Sequence, residues 1–135
     1  MTKSFVAQIE AFRDLTLKNM RYVAASAIQD VLEAAQTPQL AMAQGATSVE
    51  PGKIPVDTAE LINSLSVDGG ATGADAYQVA IAGFEIGDVM RFTWTAAHAL
   101  PTEVGHGTYP GAHMVGVNAA RFSEFVDNRV AEVRK

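Results

Sequence analysis

Residues 4–36 read SFVAQIEAFRDLTLKNMRYVAASAIQDVLEAAQ, the longest periodic stretch of this 135-residue chain. Apolar side chains recur there at steps of three to five residues, and charged side chains fall mostly on the opposite face. The apolar face consists of Phe5, Ile9, Phe12, Leu15, Met20, Val23, Ala27 and Val31. Ser4 is a suitable N-cap, and Thr37-Pro38 is a stop signal. We predict one helix over residues 4–36, roughly 50 Å long at ~1.5 Å per residue. Such a helix exceeds the core of a small domain, so we expect part of it to pack on a neighbouring molecule.

The segment that follows, residues 37–54, loses all periodicity. Gly45, Pro51 and Gly52 interrupt it, and no apolar pattern continues across them. A structureless stretch of this length inside a compact domain indicates either a functional loop or a segment that a partner orders. A flexible loop in solvent is the other interpretation, and the sequence does not decide between them.

A helix start is predicted in the stretch PVDTAELINSL, residues 55–65. Asp57 and Glu60 have the spacing of a capping box, with Asp in place of the usual Ser or Thr. Val56 and Leu61 have the spacing of a hydrophobic staple. These two devices together predict a short helix over residues 58–64.

The middle of the chain has the alternation of β-strands. Ser66-Val67 predicts a short strand that ends at residues 68–70, which read DGG. Residues 76–82 and 90–96 alternate between apolar and polar positions, and a short Gly-containing connection joins them. We therefore predict an antiparallel hairpin within a sheet of three or four strands, with Met90, Phe92, Trp94 and Ala96 facing inward.

The last third of the chain contains a turn-rich stretch and a second long helical pattern. Residues 98–111 hold glycines at 105, 107 and 111, which are expected to supply positive φ angles. From about His113 onward an apolar stripe predicts a helix that packs on the sheet. The expected fold is thus α+β, in one domain over residues 1–135: a long N-terminal helix, a short capped helix, a small antiparallel sheet and a C-terminal helix.

Composition restricts the function classes. The chain contains no cysteine, which excludes disulfides and thiolate metal sites. Its formal net charge is −5 and its cations are scattered, which disfavours a protein that binds duplex DNA through phosphate neutralisation. Glu10 and Arg13 interrupt the first apolar stretch, so we expect neither a signal peptide nor a membrane helix.

The order of these features resembles the tail-completion or head–tail joining proteins of tailed bacteriophages, a family of minor tail and neck components. The resemblance covers about residues 4–134: a long first helix, then PVDTAELINSL at residues 55–65, then EVGHGT at residues 103–108, and finally GAH before the last helix. Ala59 stands where the family usually has glycine, and alanine inside the predicted helix is no handicap. The segment at residues 103–108 matches loosely, because the family's aromatic residue after the glutamate is missing.

The resemblance implies a virion protein, assembled in the host cytoplasm, that forms a ring, commonly a hexamer, at the head-proximal end of the tail. It implies contacts with the tail tube protein and with a head connector, stopper or adaptor protein, and DNA passing through the lumen without specific binding. No cofactor, metal or membrane is implied. An acidic subunit would give a lumen that repels DNA. A head-side connector or stopper subunit is the alternative within the same class.

A ring made by one repeated contact needs two different patches per subunit, and the long helix and the 37–54 loop are the candidates. The candidate interface residues are Met42, Gln44, Val49, Glu50, Lys53, Glu103, His106, Tyr109 and His113. No catalytic, cofactor-binding or metal-binding residue is predicted, and the proposed structural capping residues are Val56, Asp57, Glu60 and Leu61.

An enzymatic interpretation from a different class is a small metal-dependent hydrolase. Its ligands would be His98, Glu103, His106 and His113, although no recognised metal-binding spacing joins them. The alternative interpretation is that these histidines lie in turns and interfaces. Ser64, Ser66 and Ser123 lack the turn that presents a nucleophile. For Tyr77, Phe92 and Trp94, core packing is favoured over stacking on single-stranded nucleic acid, because no basic residues accompany them.

Overall fold

The computed structural model describes residues 4–134, and its five helices and four short strands confirm the α+β class. The helices are α1 Phe5–Ala35, α2 Ala76–Ala82, α3 Ala99–Val104, α4 Met114–Ala120 and α5 Phe122–Val133. The strands are β1 Pro38–Leu40, β2 Ile54–Val56, β3 Leu65–Val67 and β4 Phe92–Trp94, and 3-10 turns occupy Met42–Gln44 and Ile62–Ser64.

The long N-terminal helix is confirmed almost residue for residue. The Ser4 hydroxyl accepts a hydrogen bond from the amide of Ala7 at 3.1 Å, as an N-cap should. The helix contains no glycine or proline, and it ends at Ala35, where Gln36 donates its backbone N–H back to Leu32. Burial is confined to its C-terminal part, at Ala27, Leu32 and Ala35.

α5 packs chiefly along α1, which differs from the predicted packing on the sheet. Met114 at the start of α4 does pack with Ile54 of β2 in one apolar cluster, so the prediction holds only for the first part of the C-terminal helical segment. The predicted continuous helix is also divided, because α4 ends at Ala120 and α5 begins at Phe122. The guanidinium of Arg129 on α5 donates two hydrogen bonds to the carboxylate of Asp30 on α1, at 2.9 and 2.7 Å. This half-buried bidentate pair fixes α5 against α1.

The four strands form two separate pairs rather than one antiparallel sheet. β1 and β2 are parallel, with Pro38 opposite Ile54 and Leu40 opposite Val56. β3 and β4 are antiparallel, with Leu65 opposite Trp94. The prediction that residues 37–54 have no regular structure is therefore wrong at both ends of that segment, since β1 opens it and β2 begins at its last residue.

Residues 76–82 form helix α2, so the predicted strand and its hairpin with residues 90–96 are wrong. Tyr77 and Ile81 are buried, whereas Val79 between them is 81% exposed. The sequence alternation was compatible with an i, i+4 pair on one helical face, and the alanines of this segment favour a helix. The strand at 92–94 is confirmed, but its partner is β3.

Two apolar clusters make up the core, and Trp94 packs against both of them. The buried members of the first are Leu32, Leu65, Tyr77 and Ile81, and those of the second are Ile54, Leu61 and Met114. Phe92 joins Trp94 on the inner side of β4, as the alternation predicted. Core packing of these aromatic residues, and of Tyr77, is confirmed.

The side chain of Gln36 links the helical and strand halves of the fold. Its Oε1 accepts from the Trp94 indole N–H at 2.8 Å, and its Nε2 donates to the carbonyls of Ile62 and Ala74 at 2.9 and 3.1 Å. Gln36 is only 8% exposed. Removing this side chain would take a hydrogen-bond partner from part-buried polar groups in three separate segments.

We expect Gln36→Ala to lower the free energy of unfolding by about 2–4 kcal/mol, because unsatisfied buried groups are costly. Denaturant unfolding measures this. Gln78→Ala, an exposed change on α2, is the matched control and should alter stability by less than ~0.5 kcal/mol. Equal effects of the two substitutions would contradict the linking role.

A second polar network joins the C-terminal end of α5 to α1. The Tyr22 hydroxyl donates to the carboxylate of Glu132, and Arg129 donates to the same carboxylate at 3.2 and 3.3 Å. The hydrogen bond from Tyr22, helped by Arg129, holds the pKa of Glu132 below its ordinary value of 4.5. Because folding favours the ionised form, this stabilisation is complete above pH 4.5 and is lost as the pH falls through the lower folded-state pKa.

We predict that part of the acid destabilisation of the protein comes from this carboxylate. Stability measured by denaturant unfolding from neutral pH to about pH 3 should fall less steeply for Glu132→Gln than for the unsubstituted chain. Tyr22→Phe removes only the donating hydroxyl and should also reduce the acid dependence. Superimposable pH profiles for all three proteins would rule out this assignment.

Candidate functional site

The N-terminal half of α1, residues 5–20, is an exposed amphipathic helix that we call the arm. It spans about 24 Å at ~1.5 Å per residue. Seven of its large apolar residues are between 45% and 76% exposed: Phe5, Val6, Ile9, Phe12, Leu15, Leu17 and Met20. α1 joins the rest of the fold from Arg21 onward, where the guanidinium donates to the carbonyls of Phe84 and Ala82 at 2.7 and 2.9 Å. The arm therefore presents an apolar face that its own chain leaves uncovered.

A cleft of about 500 Å³ opens elsewhere on the fold, and we call it the loop cleft. Four segments line it: residues 41–43, residues 55–61, the start of α3 with His98 and Thr102, and the turn that carries His106 and Tyr109. Three of the predicted interface residues, Met42, His106 and Tyr109, meet here. The predicted capping residues Asp57, Glu60 and Leu61 line the same cleft.

The predicted capping box does not form. Only the 3-10 turn Ile62–Ser64 follows, and the Asp57 carboxylate instead accepts a hydrogen bond from the side-chain amide of Gln44. Glu60 makes no hydrogen bond or ion pair with any of residues 4–134. The hydrophobic staple is also wrong, since Val56 belongs to β2 while Leu61 is buried in the second core cluster.

The physical reason for the missing helix is the backbone at Ala59. Its φ angle is +66°, in the left-handed region that interrupts an α-helical path. The resembled family usually has glycine at this position, and glycine adopts such an angle without the steric cost that alanine bears. The expectation that alanine is no handicap here is therefore wrong.

The turn at residues 105–111 places His106 and Tyr109 side by side at the cleft. Their backbones exchange hydrogen bonds at 3.1 and 2.8 Å, and their ring centroids are 5.2 Å apart. Burial raises the pKa of the Tyr109 phenol. Gly105 has a φ of +92°, and a Cβ there would lie 2.6 Å from the Tyr109 carbonyl oxygen. The prediction of positive φ angles at the glycines of this stretch is confirmed.

Glu103 and His113 have structural positions outside the loop cleft. Glu103 lies on α3, a helix within the stretch that was predicted to consist of turns. Its carboxylate accepts from the amides of Val115 at 3.0 Å and Gly116 at 2.8 Å, and so caps the start of α4. His113 is the N-cap residue of α4, with a left-handed φ of +48°.

The remaining interface candidates lie in a loop that side-chain amides hold in place. Gln39 donates to the carbonyls of Glu50 and Lys53, and accepts from the Glu50 amide, all at 2.8 Å. Lys53 forms an ion pair with Glu50 at 3.0 Å, and Val49 is half-buried beside them. The structure brings none of Val49, Glu50 and Lys53 to the loop cleft.

Asn118 on α4 attaches the same loop from the other side. It is 2% exposed, and its Nδ2 donates to the carbonyls of Gly52 and Met114 at 2.8 and 2.7 Å. Sequence reasoning missed Gln36, Gln39 and Asn118. Single amide side chains carry no periodic or spacing signal, and the partners of these three are largely backbone atoms in distant segments.

The side chains considered as metal ligands or nucleophiles do not come together in one site. Within residues 4–134, no three side chains of the metal-binding types come together in a way that could hold an ion. His98 and His106 line the loop cleft, but Glu103 and His113 do not. The hydroxyls of Ser64 and Ser66 donate to the backbone carbonyls of Leu61 and Gly70.

Comparisons with protein-family models, with curated proteins and with solved structures found no match in any of the three. Among residues 4–134, none of the helices combines the length and the apolar character that crossing a bilayer requires.

We predict that Ala59→Gly raises the free energy of unfolding by about 0.5–1 kcal/mol, because glycine relieves the left-handed strain. Ala131→Gly, on the exposed face of α5, is the matched control, and it should lower stability by about 0.5–1 kcal/mol. Denaturant unfolding of both variants tests the difference in sign. A loss of stability at both positions would contradict the backbone assignment at Ala59.

Proposed function

We propose that this chain is a structural component of the tail or neck of a tailed bacteriophage. In this proposal it forms a ring, a hexamer by preference, at the head-proximal end of the tail, which it completes and joins to the head connector. The observation that carries the proposal is the exposed apolar face of the arm. The order of the sequence motifs, from the long first helix to the segment at residues 103–108, supports the phage assignment.

The arm supports an assembly function because its exposed apolar surface is large for a chain of this size. Soluble monomers rarely expose contiguous apolar patches larger than a few hundred Å². Two phenylalanines, Phe5 and Phe12, are 76% and 71% exposed on the arm. Aromatic residues, phenylalanine among them, are enriched in the cores of protein interfaces. A neighbouring subunit or virion protein is the natural cover for this face.

The separation of the two surfaces supports the proposed ring geometry. The arm and the loop cleft are different patches, and a contact between different patches repeats around a closed ring when the rotation closes. The proposed neighbours along the tail axis are the tail tube protein and the head connector, stopper or adaptor protein. A formal net charge of −5 per subunit suits a lumen that lets DNA pass without binding it.

The test is the particle that the purified full-length chain forms. Negative-stain images should show rings, and native mass spectrometry should give a small integer multiple of the 14.3 kDa chain mass. Phe12→Asp should dissociate the rings, whereas Val89→Asp, at a residue 88% exposed outside the arm, should leave them intact. A chain that stays monomeric, or one that holds stoichiometric zinc or iron and hydrolyses a substrate, would refute the proposal in favour of the metal-dependent hydrolase.

A further inference from the structure

The shapes of the arm and the loop cleft are complementary. The arm is a convex helical face with aromatic side chains, and the cleft is a concave surface of about 500 Å³. Because α1 is one unbroken helix whose buried residues all lie in its C-terminal part, the arm extends beyond the packed part of its own fold and is free to contact a different molecule. A second copy of this chain offers a loop cleft as the receiving surface.

The area of the arm is sufficient for a specific interface. Its seven exposed apolar residues include Phe5 and Phe12, and an aromatic side chain buries about 150–250 Å² when it is fully covered. A standard protein interface buries ~800 Å² on each partner. The arm therefore supplies a substantial part of one side of a stable contact between copies.

Charge also matches between the two surfaces. Arg13 lies in the i, i+4 row between Ile9 and Leu17, so it projects beside the apolar face of the arm. Its ion pair is with the adjacent Asp14, and both side chains are more than 60% exposed. An exposed ion pair of this kind contributes only ~0–1 kcal/mol to stability, so little is lost when Arg13 leaves Asp14 and pairs with a different carboxylate.

The loop cleft contains such a partner. Glu60 has no hydrogen bond or ion pair within residues 4–134, whereas the neighbouring Asp57 is engaged by Gln44. Met42, which is 46% exposed, contributes apolar surface to the same cleft. The guanidinium of Arg13, beside the apolar face of the arm, is therefore complementary in charge to the carboxylate of Glu60 in the partly apolar loop cleft.

We propose that the arm of one subunit docks in the loop cleft of the next copy, with Phe12 inserted near Met42 and Arg13 paired with Glu60. This inference rests on the proposed ring assembly and specifies its repeating contact. Each subunit donates an arm on one side and receives an arm on the other. The contact is heterologous, and the angle between subunits decides whether the chain of contacts closes.

Disulfide trapping tests the contact directly, because the natural chain contains no cysteine. Phe12→Cys and Met42→Cys are prepared as separate full-length proteins, mixed and oxidised, and the products are separated on non-reducing gels. The mixture should give a cross-linked dimer that neither protein gives alone, and the double variant should give a ladder. Phe12→Cys mixed with Val89→Cys is the control and should not cross-link.

The second test exchanges the two charges. Arg13→Glu and Glu60→Arg should each weaken self-association at least tenfold in sedimentation, and the double variant should recover to within about threefold of the natural chain. Additive losses in the double variant, or absence of the specific cross-link while rings still form, would overturn the arm-to-cleft contact and leave the ring function intact. A natural chain that remains monomeric would overturn both.

Discussion

The fold depends on the hydrogen bonds of one buried side chain, that of Gln36. It lies where the long helix ends, and its amide satisfies the Trp94 indole together with two carbonyls from separate loops. Trp94 in turn packs against both apolar clusters. The helical layer and the strand pairs are therefore joined by part-buried polar contacts, and such contacts tolerate little rearrangement.

The sequence predicts most reliably the elements whose signals are local and repeated. The 31-residue helix α1 was predicted because its periodicity extends over many turns and because Ser4 caps it. A strand at Ser66-Val67, a strand within residues 90–96 and the positive φ angles at the glycines of residues 105–111 were predicted for similar local reasons. The structure has strands at Leu65–Val67 and Phe92–Trp94. Residues 76–82 form a segment too short for its sequence to distinguish the two-residue period of a strand from the four-residue spacing of a helical face. Burial of Tyr77 and Ile81 in the tertiary structure therefore determines that this segment is a helix.

The candidate site was only partly predictable. Met42, His106 and Tyr109 were expected at an interface, and they do line one cleft, although that cleft's role as an interface is a proposal. The capping box predicted at Asp57 does not form because Ala59 has a left-handed backbone conformation. The spacing of Asp57 and Glu60 gives no indication of that conformation. The contacts of Gln39 and Asn118 connect segments that are distant in sequence, and single-sequence reasoning has no access to such pairs.

The unbroken backbone of α1 has a mechanical consequence. With no glycine or proline between residues 5 and 35, the helix behaves as a stiff lever whose outer end is the arm and whose inner end is held at Gln36. When a partner binds the outer end of the arm, no hinge within α1 can change the direction of the helix to accommodate it. The curvature of any assembly built through the arm is consequently set by the angle at which α1 leaves its own core, and a load on the tip is first resisted where Arg21, Tyr22 and Asp30 attach α1 to the rest of the fold.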